Sequence, residues 1–315
     1  MFSFAKKEQS DHSRLAIGFH HDGISLAIIE SSIDGVLSLE RLEFREVRSA
    51  EAVGAELKIL ISEAGGQQLP CICVLNAASY SLIQLEAPDV EGDELKSAVS
   101  WRIKDLIDFA IEDAVIDLIP LPASKRPGAP RMMYAVAARK RRIEEVVSLF
   151  EALGVSLKAI DIPELALRNL TFADAEENRA AALLFLTTRG SLIEICDNGS
   201  LCLTRNINLD FASLDLQDDA RRNEMIDLLS LEVQRSLDYY ESQFANGAVS
   251  SILMSADGEI SMQDFVAVAG NYLVQPIQEL QSLQQLAGIE RFSRKLVSQC
   301  LPTIGGALRD FAWRE

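Results

Sequence analysis

The sequence has few of the side chains on which hydrolytic enzymes and metal proteins depend. Its 315 residues include only three histidines, His12, His20 and His21, and no Ser/His/Asp set or catalytic pair of carboxylates stands out. The five cysteines, an odd number, form no Cys-x-x-Cys pair and no cluster with histidine. We therefore expect no metal site and no histidine-based catalysis, and we interpret the cysteines as buried free thiols in a reducing compartment.

A long apolar segment is also missing. The long uncharged run 65–85 contains Pro70, Asn76 and several serines and glutamines, which favours two strands and a turn over a membrane helix. The first residues, MFSFAKKEQSDHS, contain too short an apolar part for a signal peptide. We therefore expect a cytoplasmic protein.

Basic residues are scarce relative to acidic ones, 30 against 47, and the net charge is −17. This balance argues against a general affinity for nucleic acid, because the phosphates would be repelled on average. The hydrophobic fraction of 48% and the charged fraction of 24% are those of an ordinary globular protein. The length allows two modest lobes or one large domain.

One pattern of elements occurs twice in the sequence. The first copy predicts three strands, a helix and a buried strand, at about Arg14–His20, Ile24–Ser31, Val36–Phe44, Ala50–Ala64 and Cys71–Asn76. The second copy predicts the same series at about Ala182–Thr187, Leu192–Cys196, Ser200–Asn206, Ala220–Phe244 and Ser250–Ser255. Asp22-Gly23, Asp34-Gly35 and Asn198-Gly199 are turn dipeptides that close hairpins. Such a duplication implies two similar lobes that face each other across a cleft.

An inserted unit separates the two copies. It is predicted to contain a helix, two strands and a second helix, at Glu94–Phe109, Val115–Pro120, Met132–Ala138 and about Arg142–Leu153. The proline-rich connection PLPASKRPGAPR between the strands predicts a mobile loop. A last helix is predicted from Thr303 to about Ala312, with Pro302 near its start. The predicted units are a first lobe at 1–85, an inserted subdomain at 86–160, a connector helix region at 161–180, a second lobe at 181–300 and a closing helix at 301–315.

Three stretches resemble the FtsA/PilM group of bacterial actin-like proteins. They are SWRIKDLIDFAIEDAVIDLIPLP (Ser100–Pro122), LEVQRSLDYYESQ (Leu231–Gln243) and LPTIGGALRDF (Leu301–Phe311). Their amino-acid sequences are most similar to those of the MshI family of the MSHA type IV pilus system. The resemblance implies an actin-like (ribonuclease H-like) two-lobed α/β fold, with a small α+β subdomain inserted in the first lobe.

The same resemblance implies a function. Members of this group are expected to be cytoplasmic, non-enzymatic adaptors of a pilus assembly platform, peripheral at the inner membrane. They dock the cytoplasmic N-terminal tail of a PilN- or MshJ-like inner-membrane protein in a groove between the first lobe and the insert, and the pilus motor ATPase is a further expected partner. Two alternatives stay open: an ATP-binding actin-like switch, and a GspL-like cytoplasmic domain of type II secretion, against which the missing membrane segment counts.

The resemblance also implies where a nucleotide would bind, and the residues expected at those positions are largely replaced. In the first phosphate hairpin the aspartate position falls at His20 and the glycine position at Asp22, and neutral histidine does not replace a carboxylate near hydrated Mg²⁺. In the second hairpin the D-I-G positions hold Phe185, Leu186 and Thr187. We therefore expect weak or absent binding of Mg-ATP, no hydrolysis and no cofactor. The residues left to hold a nucleotide weakly are Asp22, Gly23, Thr187, Thr188, Gly190, Glu232, Arg235, Ser236 and Gly258.

The insert carries the candidate residues for partner binding, which are Ser81, Ile83, Trp101 and Leu106. Trp101 lies off the main apolar stripe of its predicted helix, so it is either a core residue or an anchor beside a peptide groove. The segment 89–117 has nine acidic and three basic residues, which suits a basic tail.

A basic segment follows the acidic one, with seven basic and no acidic residues in 125–142. Its run Arg139, Lys140, Arg141 and Arg142 starts a predicted helix, where the helix dipole disfavours cations, and Glu144 and Glu145 are placed to compensate. The run is either a solvated face or a contact with anionic lipid or an acidic partner.

Overall fold

The computed structural model describes residues 13–174, 179–187, 190–209, 219–244, 247–256 and 262–309. The strands in these residues are β1 (Ser13–Phe19), β2 (Gly23–Ser31), β3 (Leu37–Glu46), β4 (Pro70–Val74), β5 (Tyr80–Glu86), β6 (Ala114–Pro120), β7 (Met132–Arg139), β8 (Ser156–Asp161), β9 (Ala181–Thr187), β10 (Gly190–Asp197), β11 (Ser200–Ile207), β12 (Ser251–Ala256) and β13 (Ile277–Glu279). The helices are α1 (Ala50–Ala64), α2 (Asp93–Ile103), α3 (Lys140–Ala152), α4 (Pro163–Asp174), α5 (Asp219–Gln243), α6 (Met262–Ala269), α7 (Gln281–Gln285), α8 (Arg294–Gln299) and α9 (Leu301–Ala307). None of the helices in this part of the chain is long and apolar enough to cross a membrane.

Two five-stranded sheets have the same strand order. The first runs β3-β2-β1-β4-β8 and the second β11-β10-β9-β12-β13. In each sheet the first three strands in chain order pair antiparallel, the second strand lying between the first and the third. The fourth strand pairs in parallel with the first, and the fifth strand pairs in parallel with the fourth. The predicted duplication and the predicted two-lobed actin-like fold are confirmed.

The hairpin turns follow the local sequence. Asn198 and Gly199 have φ values of 46° and 72°, the left-handed pair that a two-residue hairpin turn requires. The β1–β2 turn closes with a hydrogen bond from the His20 N–H to the Gly23 carbonyl, 2.8 Å. Gly23 is needed because a Cβ there would overlap the carbonyl oxygen of Arg45 on β3.

The inserted subdomain is smaller than predicted. Its sheet has the order β5-β7-β6, and α2 covers one face through Val99 and Ile103. The predicted range 86–160 was wrong at both ends. β5 begins at Tyr80, and β8 pairs in parallel with β4 of the first sheet. The helix α3 also belongs to the first lobe, because Phe150 packs in the same apolar cluster as α1 and β4.

The first insert helix is also shorter than predicted. It ends at Ile103 instead of Phe109, although the apolar stripe continues through Leu106 and Ile107. The chain turns after Ile103, with the Leu106 N–H bonded to the Ile103 carbonyl at 2.8 Å. This turn brings Phe109 to the Arg139 guanidinium, 4.6 Å from the ring centroid.

Two helices lie between the lobes and join them in one apolar core. The core contains Ala16 and Ile72 of the first sheet, Leu183 of the second, Leu167 of α4 and Ile304 of α9. α9 is buried along its whole length. It was predicted to run from Thr303 to Ala312, but it begins at Leu301 and ends at Ala307, and residues 310–315 lie outside the described ranges.

Glycine permits the close approach of these two helices. A Cβ on Gly305 of α9 would overlap the carbonyl oxygen of Ala166 on α4. The Asn169 side chain donates to the Gly305 carbonyl at 2.9 Å, and Arg309 pairs with the buried Asp161 at 2.8 Å. The position of α9 is therefore fixed by backbone contact and by polar contacts to the first lobe.

Candidate functional site

Side chains fill the first hairpin, which the resemblance assigns to phosphate binding. His20 Nε2 lies 2.7 Å from Ser25 Oγ, and Ser25 Oγ lies 2.5 Å from Thr303 Oγ1 of α9. The His20 ring also packs edge-on against Phe44, with 5.3 Å between centroids. A Cβ on Gly18 would overlap Thr303 Oγ1. This end of the hairpin is therefore occupied by the protein itself.

The other hairpin residues named above, both the predicted nucleotide contacts and the replaced position Phe185, have local structural roles or lie outside the described residues. The Asp22 carbonyl accepts from the Val47 N–H at 2.9 Å. Phe185 is buried in the core between the lobes, opposite Leu192 of β10. Thr187 ends β9 opposite Gly190, which begins β10. Thr188 and Gly258 lie outside the described residues.

The predicted face of α5 is engaged within its own helix. The Arg235 guanidinium pairs with Glu232 at 2.5 Å. The buried Ser236 hydroxyl donates to the Glu232 carbonyl at 2.8 Å. The side chains of Arg235 and Ser236 thus both have hydrogen-bond partners on Glu232, within the helix itself. A bound adenosine is not needed to account for the three residues.

Millimolar Mg-ATP is expected to leave the melting temperature of the protein unchanged. Ligand stabilisation follows concentration relative to Kd, and His20, Ser25 and Thr303 occupy the hairpin in which phosphates would sit. Differential scanning fluorimetry and a phosphate-release assay test this, and we expect hydrolysis at background. A shift of several degrees would contradict the prediction and favour the ATP-switch alternative. The His20→Asp variant is expected to remain inactive, because Phe185 stays in the core.

A cavity of about 400 Å³ lies where the insert joins the first lobe. We call it the junction cavity. Its walls come from residues 78–81, from Asp108 and Phe109 after α2, and from Arg139, Arg141, Arg142 and Glu145 around the start of α3. The volume is in the range of ligand-binding pockets in proteins.

Local hydrogen bonds fix the wall formed by residues 78–81. Asn76 Oδ1 accepts from the Ala78 N–H at 2.8 Å, which caps a short turn between β4 and β5. The Tyr80 hydroxyl donates to Glu164 in the first turn of α4, with 2.5 Å between the oxygens. Burial raises the pKa of both the Tyr80 hydroxyl and the Glu164 carboxyl. The cavity wall is thus attached directly to a helix of the interlobe core.

The basic run surrounds the other side of the cavity, and acidic side chains compensate it. Arg139 pairs with Asp108 at 3.1 Å, and Lys140 pairs with Glu144 at 3.9 Å. Arg141 and Arg142 both pair with Glu145, at 2.9 and 3.6 Å. The expected compensation by Glu144 and Glu145 is therefore present, although the helix begins with three cations.

The predicted partner-binding residues are not all in one place. Ser81 lines the junction cavity. Ile83 lies two residues further along β5 and packs against the apolar cluster that contains Val99 and Ile103 of α2. Trp101 is 71% exposed, with the Lys104 ammonium 4.4 Å from its ring centroid, so it is not a core residue. Leu106 is also exposed, and neither Leu106 nor Trp101 is part of the cavity lining.

Sequence reasoning missed Tyr80 and Phe109 as site residues. The pairing of β5 with β7 brings Tyr80 beside Ala138, next to Arg139. The turn after α2 then brings Phe109 to the same Arg139. Both approaches depend on contacts between residues far apart in the chain, for which the sequence gives no local signal.

The insert also contacts the second lobe. The Tyr134 hydroxyl accepts from the Thr204 N–H of β11 at 3.1 Å. In the proline-rich loop that was predicted to be mobile, the Ser124 hydroxyl and the Lys125 N–H both donate to the Gln243 carbonyl, at 3.0 and 2.9 Å. This part of the loop is therefore attached to the end of α5.

No family model and no curated protein sequence matches the chain. Among solved structures, a chain of the PilM-PilN type IV pilus biogenesis complex is similar at 19% identity, with a TM-score of 0.68 and coverage of 94% of this chain and 96% of that chain. A Bacteroides thetaiotaomicron protein of unknown function, described as having an actin-like ATPase fold, is similar at 12% identity, with a TM-score of 0.50 and coverage of 90% and 98%. The cytoplasmic domain of EpsL, an inner-membrane component of the Vibrio cholerae type II secretion system, has a TM-score of 0.48 at 13% identity, with coverage of 78% and 82%. The fold of this chain is the actin-like fold, and its likeness to the PilM-PilN chain extends over nearly its whole length.

Proposed function

We propose that this protein is a non-enzymatic cytoplasmic adaptor of a type IV pilus assembly platform, peripheral at the inner membrane. It docks the N-terminal tail of a PilN-like inner-membrane protein in the junction cavity. The observation that carries the proposal is the cavity itself, which lies between the first lobe and the insert, where the resemblance to the PilM group implies a tail groove. Within this proposal the protein is an MshI-like member of an MSHA-type system, its partner is MshJ-like, and the pilus motor ATPase is a second partner.

The walls of the cavity suit an extended peptide. Tyr80 and Phe109 supply aromatic surface, and Ser79 and Ser81 supply polar groups at the start of β5. β5 is an edge strand of its sheet in the described part of the chain. Extended peptides bind where an edge strand offers backbone donors and acceptors beside pockets for side chains.

The proposal that the protein is not an enzyme is supported by the side chains that occupy the first hairpin. His20, Ser25 and Thr303 hydrogen-bond to one another in the hairpin that would hold phosphate. Adaptor function needs the two lobes as a scaffold and does not need the nucleotide between them.

Ser81→Phe is expected to weaken tail binding at least about tenfold, because the larger side chain fills part of the cavity without removing a buried contact. Fluorescence anisotropy with a labelled peptide of the partner's N-terminal tail measures this. Tyr272→Ala is the control, since Tyr272 is a half-exposed aromatic residue of the second lobe. Phe109→Ala is expected to weaken binding as well, with its melting temperature measured alongside. Unchanged affinity in both cavity variants would contradict the proposed site.

Trp101 and Leu106 remain proposed contacts of the tail outside the cavity. Their exposure makes Trp101→Ala and Leu106→Glu safe for folding, because neither side chain is packed in the core. The same titration tests them. Weaker binding extends the docking site over the outer face of the insert, whereas unchanged binding restricts it to the junction cavity.

A further inference from the structure

The junction cavity carries more positive than negative charge. Its lining contains three arginines, Arg139, Arg141 and Arg142, and two carboxylates, Asp108 and Glu145. Arg139 has Asp108 as its own partner at 3.1 Å. Arg141 and Arg142 share Glu145. A guanidinium has five N–H donors in a planar fork, so two guanidinium groups with one carboxylate retain donors for a second anion.

The three arginines of the lining are reachable from solvent. The side chains of Arg139, Arg141 and Arg142 are 52%, 89% and 39% exposed. Arg141 and Arg142 already contact one carboxylate together, that of Glu145, so their guanidinium groups are close enough to share a second one. A carboxylate side chain on a narrow, extended peptide fits this arrangement.

We propose that the junction cavity selects a peptide that places an aspartate or glutamate side chain between Arg141 and Arg142. This inference rests on the proposed docking of a peptide in the cavity and adds the chemistry of the peptide. The carboxylate binds to the two guanidinium groups, and a neighbouring apolar side chain of the peptide packs on Phe109, which lines the same cavity. Arginine forks recognise carboxylates by paired, charge-assisted hydrogen bonds.

The test uses two sets of fluorescein-labelled peptides. One set is the partner's tail, as it exists and with every aspartate and glutamate replaced by asparagine and glutamine. The other set is independent of any partner: leucine-rich peptides that carry glutamate, glutamine or lysine at one position, moved along the peptide. Affinities are measured by anisotropy at low salt for the wild type, for Arg141→Gln/Arg142→Gln and for Lys140→Gln. Lys140 is the matched control, because it is a cation of the same helical turn outside the cavity lining.

We expect replacement of the carboxylate to weaken binding to the wild type about threefold or more at low salt, because ion pairs with exposed guanidinium groups such as that of Arg141 contribute up to about 1 kcal/mol each. In the double arginine variant the acidic and amide peptides bind alike, and Lys140→Gln behaves as wild type. Equal affinity of acidic and amide peptides for the wild type overturns the inference, as does tight binding of a tail without acidic residues.

Two further outcomes separate this inference from the proposed function. If the tail fails to bind while the glutamate peptides bind through Arg141 and Arg142, the proposed partner is wrong and the carboxylate site stands. Binding by no peptide of either set overturns both. If the arginine variants lose binding to phosphatidylglycerol vesicles but keep their peptide affinities, the run contacts lipid and the inference is wrong.

Discussion

Replacing Gly305 by alanine is expected to lower the melting temperature of the protein by several degrees. The added methyl group would overlap the Ala166 carbonyl oxygen and would lie 2.6 Å from the carbonyl carbon, so α9 and α4 would have to move apart. Backbone cannot rotate away as the end of a side chain can. Overpacking of this kind costs about 1–3 kcal/mol and sometimes more. The cost is expected at the upper end, because α9 packs against both lobes.

Gly54→Ala is the matched control for this change. Gly54 is in α1, and the nearest atom to its added Cβ is Leu149 Cδ1 at 3.4 Å, an ordinary contact. Alanine is favoured over glycine in a helix by about 1 kcal/mol, so this variant is expected to melt at or above the wild-type temperature. Thermal unfolding followed by circular dichroism compares the three proteins. A Gly305→Ala protein as stable as wild type would contradict the close packing of the two helices.

The second large effect is expected at Gly18. An alanine there would overlap Thr303 Oγ1 and lie 2.6 Å from Ser25 Oγ, so Gly18→Ala is expected to destabilise the protein by roughly 2 kcal/mol. Thr303→Ala alone removes one hydrogen bond, that to Ser25, and costs about 1 kcal/mol. Because the second change removes the atom that the first one meets, the double variant is expected to be more stable than Gly18→Ala.

Denaturant unfolding of the wild type, both single variants and the double variant gives the interaction energy between the two positions. A strongly non-additive cycle shows that β1 and α9 meet at the first hairpin. Simple addition of the two losses would contradict this contact. It would also remove the main structural reason for expecting no nucleotide in the hairpin.

The duplicated lobes could be predicted because their signals are local. The Asn198-Gly199 turn and the alternation of apolar residues in strands such as β1 and β2 are properties of neighbouring residues. β8 escaped prediction because SLKAID is short and half polar, and it becomes a strand only beside β4. The end of α2 was not predicted correctly, because the apolar stripe continues past Ile103. The position of Phe109 depends on its contact with Arg139 at the end of β7, which the helical pattern does not reveal.

In the candidate site, too, the local features could be predicted from the sequence and the long-range contacts could not. The charge of the run from Arg139 to Arg142 is evident in the sequence, and so are the glutamates that compensate it. The three arginines of this run share a cavity with Tyr80 only because β5 pairs with β7, and the sequence does not show that pairing. Trp101 could not be assigned to core or surface from its helical position, because the length and the buried face of α2 were both needed.

The contacts of the insert with the second lobe have a mechanical consequence. The chain leaves the first lobe at β5, bonds to Thr204 and Gln243 of the second lobe, and returns to the first lobe at α3. The insert is therefore a brace between the two halves, in addition to the apolar seam that α4 and α9 provide. A pull on a peptide held in the junction cavity would load Tyr80, and through Glu164 it would reach α4. Because α4 lies in the apolar core that both sheets share, a load on Tyr80 would reach both halves of the molecule.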